Sequence, residues 1–543
     1  MKNRLIILIF ACVAVFIATS CKKNLDLFPQ NDLTQDKAYS TPEGYKSVLA
    51  KAYGGLSVTG NTGPAGTPDI QGLDEGSQIA FIRMFYNCQE LPTDEAIVAW
   101  NDQTIHDFHN LKWTSSDPFL KGMYARPIYN ITLINEYLRE STDDKVAGRG
   151  ITGTAATEIK QSRAEVRFLR AFNYWVMMDL FGKSTFITEA DGIGTFLPRE
   201  IQRDSLFLYI ESELKAIDGD LATPKSTEYG HVDKATDWSL LARMYLNAQV
   251  YTGTTRYNDA ATYAKKVIDA GYALQTGQNA YFKLFMADND KSKNEIIWAI
   301  NCDGMKGQAY GNTTFLIHAP AGDDAADYGV TGGWNGYRAT STFGDKFPKD
   351  GSGNIDSVAD LRGKAFYTSK FSGTPTQGKI LTEADVSNFA TGYHIKKYVN
   401  KRSDGGSVTD PTKTYSDIDF PVFRLSEMYL IYAEAVLRGA TTGDAGNALT
   451  YVNIIRTRAG AAPFGSPNLT LQNLLDERAR ELFWEGHRRT DLIRYGMLTT
   501  STYLWPWKGG IASGTAVDSK YNIFPVPAAN ISANPNLTQN IGY

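Results

Sequence analysis

Residues 158–181 limit the fold more than any other segment. Ala164, Phe168, Ala171, Trp175 and Met178 share one face of a helix, and Leu169, Phe172 and Val176 line a second. A helix that is apolar on two faces has to lie between neighbours, which places this one inside a helical protein. Gly182 follows at once and suits a left-handed C-terminal cap. Similar signals recur. Thr41-Pro42-Glu43 supplies an N-cap, a first-turn proline and an acid near a helix start. Asp117-Pro118 opens a helix to about residue 140. Further helices are expected at about 203–217, 235–251 and 259–270, then near 424–438, 447–459 and 471–495.

Between these helical blocks, over about 271–419, the chain changes character. Gly, Ser, Thr, Asp and aromatic residues dominate, with short strand-like runs such as 295–300. A second irregular stretch covers about 54–116. Long irregular segments within a helical frame are functional insertions more often than connectors, and binding residues concentrate on such loops. The expected architecture is mainly α. Helical hairpins over about 41–270 and 420–500 form the scaffold, and the two insertions and a few short strands complete one domain. The paired helices, with Ala and Tyr at their contacts, resemble tetratricopeptide-like hairpins without a clean internal repeat.

At the N-terminus, Lys2 and Arg4 precede an apolar run from Leu5 to Ala18 that is too short to span a bilayer and has the form of a secretory signal. Ala18, Thr19 and Ser20 lead to Cys21, in the manner of a lipoprotein cleavage box. Acylation of Cys21 would anchor the chain to a membrane, at about 0.8 kcal/mol per buried methylene. Removing Lys2 and Arg4 from the 55 Lys and Arg leaves 53 against 59 Asp and Glu, a net charge near −6. That balance excludes nucleic acid as a partner. Once Cys12 leaves with the signal and Cys21 is acylated, Cys88 and Cys302 remain. They allow one disulfide in an oxidising compartment, but two buried thiols is the preferred reading.

An ordered set of short motifs then runs along nearly the whole chain. After the cleavage box come Leu25-Asp26-Leu27-Phe28-Pro29, Tyr53-Gly54-Gly55-Leu56, Leu91-Pro92-Thr93-Asp94-Glu95 and the segment from Arg163 to Ala171. Leu197-Pro198-Arg199, Pro421 to Leu430 and Ile455-Arg456-Thr457-Arg458-Ala459-Gly460 follow. Glu477-Arg478-Ala479-Arg480-Glu481-Leu482, Glu485-Gly486-His487-Arg488-Arg489 and Phe524-Pro525-Val526-Pro527 complete the set with Asn534-Pro535-Asn536-Leu537. Together they resemble the SusD/RagB-like family of outer-membrane nutrient-binding lipoproteins. The resemblance implies a tetratricopeptide-like scaffold on the cell surface and an oligosaccharide ligand. It also implies a SusC-like TonB-dependent transporter as partner and no catalysis or cofactor.

The residues are consistent with that absence of chemistry. Glu477, Glu481 and Glu485 recur at helical spacing, yet Arg478, Arg480, Arg488, Arg489 and Arg494 surround them. Arginines keep carboxylates ionised, whereas a glycosidase acid needs a raised pKa, so structural ion pairing is expected. His106 and His109 lack further ligands to complete a metal pattern and are taken as solvated or capping histidines. Gly60 to Gly66 lacks the Lys-Ser/Thr of a phosphate loop, and no Gly-x-Ser-x-Gly elbow occurs. Asp323, Asp324 and Asp327 offer carboxylates for a structural calcium, but not at EF-hand spacing.

Sugar recognition requires flat aromatic faces for C–H stacking, together with amides, carboxylates and guanidinium groups for hydroxyls. The first insertion offers Asp74, Arg83, Trp100 and Asn101. The second offers Tyr310 and Gly333-Trp334-Asn335-Gly336-Tyr337, where glycines flank two rings and an amide. Trp100 and Trp334 each have two readings, a sugar platform or a pin holding a loop to the scaffold. Trp175, Trp238 and Trp484 lie in helical patterns and are expected in the core. A peptide ligand on the same kind of importer and a secreted glycosidase stay open as alternatives.

Overall fold

The computed structural model describes residues 35–543 apart from 65, 193, 195 and 368–381. The signal segment and Cys21 therefore lie outside the described residues. The chain is mainly helical. In order, the longer helices are α1 (Pro42–Gly54), α2 (Phe81–Gln89), α3 (Pro118–Glu140), α4 (Gly153–Phe181), α5 (Arg203–Ile217), α6 (Lys234–Leu246) and α7 (Tyr257–Ile268). After the second insertion come α8 (Leu425–Leu437), α9 (Ala445–Arg458), α10 (Leu471–Leu482) and α11 (Arg488–Arg494). Four short strands matter for the site: β1 (Ile97–Val98), β2 (Ile296–Ile300), β3 (Tyr337–Arg338) and β4 (Phe420–Arg424).

Caps set several boundaries as their residue types dictate. Thr41 Oγ1 accepts from the Gly44 N–H at 3.2 Å, with Pro42 in the first turn of α1. Asp117 Oδ1 accepts from the N–H groups of Phe119 and Leu120 at 2.8 and 3.0 Å and opens α3. Gly182, at φ 74°, closes α4. From Ala164 onward nearly every residue of α4 is buried, because the helix packs against α1, α3 and α5 at once. Helix α7 packs on α6 and on α8, so the two helical blocks meet directly. Strands β2 and β4 pair antiparallel, with Ile296 opposite Arg424, and deliver the chain into α8. Cys88 and Cys302 are buried free thiols, and Trp175 and Trp484 are core residues, while Trp238 packs half-buried against the core.

Three expectations need correction. The stretch 54–116 is not irregular throughout: α2 lies within it, wholly buried, with no side-chain cap to announce it. The helix expected over 235–251 breaks at Asn247, whose side chain donates to the Arg243 carbonyl at 3.1 Å and accepts from Arg494 at 2.8 Å. The helix expected over 471–495 breaks after α10. There Trp484 and Gly486 take left-handed conformations, φ 61° and 83°. Their backbone N–H groups turn to the buried Glu95 and Glu90 carboxylates instead of helical carbonyls. A Cβ on Gly486 would lie 2.4 Å from the Phe85 ring, so the turn tolerates only glycine.

The acids of α10 and the following turn enter a buried ion network. Glu481 accepts from Arg424 and Arg362, both at 3.1 Å, and from Arg458. Glu477 accepts from Arg362 at 2.8 Å and Arg456 at 2.6 Å, and Glu485 from Arg424 and Lys397, each at 2.6 Å. Burial alone would raise the pKa of Glu481, but Arg458, Arg424 and Arg362 outweigh it and hold the carboxyl at about 2. Substituting Glu481→Ala leaves three buried guanidinium groups short of a partner. Urea denaturation should show a loss of about 3–5 kcal/mol. A change below about 1 kcal/mol, the scale of a surface pair, would contradict this role.

Candidate functional site

Strand β1 belongs to the first insertion and β3 to the second. They pair antiparallel, Ile97 opposite Arg338 and Val98 opposite Tyr337, and the Ala99 N–H donates to the Gly336 carbonyl at 2.9 Å. This ladder sets Trp100 beside Trp334. Their ring centroids are 6.3 Å apart with planes at 48°, and Trp100 Nε1 donates to the Trp334 carbonyl at 2.6 Å. Both rings are half-buried. Gly336 makes the approach possible, since a Cβ there would lie 2.3 Å from Trp100 Cε2.

Each ring is backed by protein. His318 stacks on Trp334 at 4.9 Å and 19°. Tyr337 meets Trp100 edge-on at 5.2 Å, and the Arg83 guanidinium lies 5.4 Å from the Trp100 centroid and 5.0 Å from that of Phe315. His106 makes a hydrogen bond to the Trp100 backbone. With these contacts the rings are fixed before a ligand arrives, which lowers the entropy cost of binding.

All eight expected residues fall in this neighbourhood, in two roles. Asn101, Asn335 and Asp74 are exposed, and Asn335 stands at φ 52°, a conformation asparagine tolerates. The Asp74 carboxylate accepts from the Ser77 N–H at 2.7 Å. Tyr310 is half-buried, its ring 5.4 Å from that of Tyr415, and the next carbonyl, of Gly311, accepts from the Arg83 N–H at 3.0 Å. Arg83 and Tyr337 depart from the expectation of open loop residues. Arg83 is 8 % exposed and donates to the Gly76 carbonyl at 3.3 Å, and burial lowers its pKa against the pull of Tyr337, Asp102 and Asp74. Tyr337 is 1 % exposed, enclosed by Tyr86, Trp100 and Phe315, and donates to Asn87 Oδ1 at 2.6 Å. Both brace the Trp100 ring from behind.

Sequence reasoning missed His318 and His106 as parts of the site, and took Gly336 only as a glycine that flexes its loop. Only Gly336 carried a signal, a glycine between an exposed amide and a buried ring. The expectation of solvated or capping histidines fails for His109, while His106 is half-exposed. Among the described residues neither ring nitrogen of the buried His109 has a hydrogen bond, and burial holds both histidines below the usual histidine pKa. The calcium expectation is not met by geometry: Asp324 Oδ1 accepts from the Gly322 N–H at 2.9 Å, and no group of three or more His, Cys, Asp or Glu among the described residues is arranged to hold a metal.

The segment entering β1 is anchored by charge. Arg488 donates to both Asp94 oxygens, at 2.7 and 3.0 Å, and the Tyr503 hydroxyl adds a third bond at 2.6 Å. Burial would raise the Asp94 pKa, and Arg488 reverses that. Glu90 and Glu95, by contrast, share a hydrogen bond in a buried pocket. Burial pushes Glu90 up to about 7, and burial followed by the neighbouring Glu90 pushes Glu95 well up.

The SusD family model matches residues 294–543. Starch-binding protein SusD of Bacteroides thetaiotaomicron is 37% identical over 100% of both chains. The chain belongs to the SusD family. Among solved SusD-family structures, a SusD superfamily protein of Parabacteroides distasonis superposes with a TM-score of 0.69 at 22% identity, over 92% of this chain and 99% of that one. Surface glycan-binding protein A of Bacteroides thetaiotaomicron, in complex with laminarihexaose, superposes with a TM-score of 0.67 at 19% identity, over 92% and 99%. These likenesses show the fold, and the names of the starch- and glycan-binding relatives are those of binding proteins.

The Glu90–Glu95 pair gives the SusD-family fold here a pH signature. Both folded-state pKa values lie above the unfolded value near 4.5, so the pair's contribution is complete below that pH and is lost as pH rises toward about 7. Glu95→Gln keeps a hydrogen bond to Glu90 and removes one titrating carboxyl. Denaturation midpoints of the variant should fall less over that window than those of the parent, and parallel profiles would contradict the raised carboxyl pKa values.

Proposed function

We propose that the chain is an outer-membrane surface lipoprotein that captures an α-linked glucan at the Trp100–Trp334 platform and passes it to a SusC-like TonB-dependent transporter. The observation that carries the reading is the pair of half-buried indole rings, locked 48° apart and backed by protein on their inner sides. Sugar rings stack their C–H faces on such surfaces. Two planes at an angle favour a chain that turns between successive units, as α-linked glucans do, over a flat ribbon.

Asn101, Asn335 and Asp74 add exposed polar groups for sugar hydroxyls, and half-buried Tyr310 adds a third ring next to Gly311, whose carbonyl bonds the Arg83 N–H. A hydroxyl or amide left unpaired costs about 1–3 kcal/mol, so these groups give selectivity where the rings give affinity. The full-length similarity to a starch-binding protein supports an α-glucan as the ligand. Among the described residues no helix is long and apolar enough to cross a membrane, and acylated Cys21 is the proposed anchor.

Isothermal titration of the purified chain with maltohexaose tests the reading. Trp100→Ala and Trp334→Ala should each weaken binding by about tenfold or more, the order expected for losing one stacked ring. Thermal stability should change little for Trp334→Ala, and no shorter maltosaccharides should accumulate. Unchanged affinity in both variants would remove the platform from the account, and release of shorter products would replace capture by hydrolysis.

A further inference from the structure

A second cleft lies away from the loop platform, between α1, α4, the loop 222–231 and the end of β2. Its volume is about 870 Å³, within the range of about 300–1,000 Å³ typical of small-molecule sites. None of the eight platform residues lines it. At its centre is Glu165 of α4, only 3 % exposed. The Tyr53 hydroxyl donates to Glu165 Oε2 at 2.5 Å, and His231 Nδ1 meets the same oxygen at 2.7 Å. Oε1 is left without a hydrogen bond among the described residues. Oε1 is open to the cleft, where water or a ligand hydroxyl can donate to it.

The surroundings narrow the ligand class. The Tyr53 and His231 rings stand 5.4 Å apart at 57°, and Tyr229 adds a third ring to the wall. Trp298 Nε1 holds the Gly230 carbonyl at 3.1 Å, which fixes the loop that presents His231. Gly230, at φ 91°, lets the exposed Asn301 side chain come close, since a Cβ there would lie 2.3 Å from its amide nitrogen. Gln161 and Ser162 add planar-amide and hydroxyl groups from α4. Glu158, Glu165 and Glu228 line the cleft and repel anions. Lys46 pairs with Glu158 at 3.2 Å, and His231 hydrogen-bonds Glu165, so two of the three acids already have a protein partner. Flat rings, amides, a hydroxyl and one open carboxylate oxygen match a neutral polyhydroxylated ring.

We infer that this cleft is a second saccharide-binding site, taking a short neutral oligosaccharide through the open Glu165 oxygen, Gln161 and Asn301 against the Tyr53 and His231 rings. It does not depend on the platform binding sugar.

The test separates the two sites. The purified chain carrying Trp100→Ala and Trp334→Ala is titrated with maltotriose, cellotriose and laminaritriose while histidine C–H resonances are followed by NMR. The chain has six histidines, and a His231→Gln variant assigns the relevant signal. At least one trisaccharide should shift the His231 resonance saturably. Adding Glu165→Gln or Gln161→Ala should weaken that response by about tenfold, the loss of one well-made hydrogen bond. Gln161 is only half-buried, so its variant keeps the test valid if Glu165→Gln folds poorly. No shift with any trisaccharide, or a shift indifferent to both substitutions, overturns the inference. A saturable shift with butylammonium and none with the sugars overturns the ligand class. If the His231 response stands while parental binding ignores the tryptophan substitutions, the platform reading fails and this one survives.

Discussion

The buried ion network around Glu481 is the interaction on which the rest of the fold depends. Its members come from six separated places in the chain. Glu295 precedes β2, Arg362 and Lys397 lie in the second insertion, Arg424 ends β4, Arg458 ends α9, and Glu477, Glu481 and Glu485 come from α10 and its turn. Each charge costs several kcal/mol to bury, and attraction offsets that cost only when partners meet at hydrogen-bonding distance. An arrangement with any of these segments elsewhere strands a charge in the interior. The network therefore penalises alternatives more than it adds to stability, and it fastens an insertion of irregular backbone to a helical frame at Arg362 and Lys397.

A second set of charges performs the same task for the first insertion. Asp94 is clamped by Arg488, while Glu90 and Glu95 draw the Trp484–Gly486 backbone out of helical geometry. The stretch around 90–95 is thereby tied to the turn that follows α10, and β1 leaves from a fixed point. Ligand recognition then needs little further ordering. The indoles are pre-set by a two-residue strand pair, a glycine and a histidine.

Much of the helical frame was legible in the sequence because local chemistry determines it. Asp117-Pro118 and Gly182 mark helix ends by hydrogen bonding and backbone conformation that involve only their neighbours. The breaks at Asn247 and Trp484 were not legible, since the groups that cause them, Arg494 and the Glu90–Glu95 pair, lie far away in sequence. The candidate site divides in the same way. Trp100, Asn101, Trp334 and Asn335 were recognisable from residue type and loop context. That Tyr337 turns inward to Asn87, and that His318 stacks on Trp334, depends on strands of two residues, too short for any alternation to be read. The pairing of insertions more than two hundred residues apart had no signal in the sequence taken alone.

The account makes the Trp100 and Trp334 rings the surface that meets ligand, with Arg83, Tyr337 and His318 as their supports. A crystal structure of the chain grown with maltoheptaose tests that assignment most directly. The account predicts successive glucose rings stacked on the two indoles, hydroxyls bonded to Asn101, Asn335 or Asp74, and supporting side chains unmoved. Sugar bound with both indoles uncovered, or bound only elsewhere on the molecule, would contradict it.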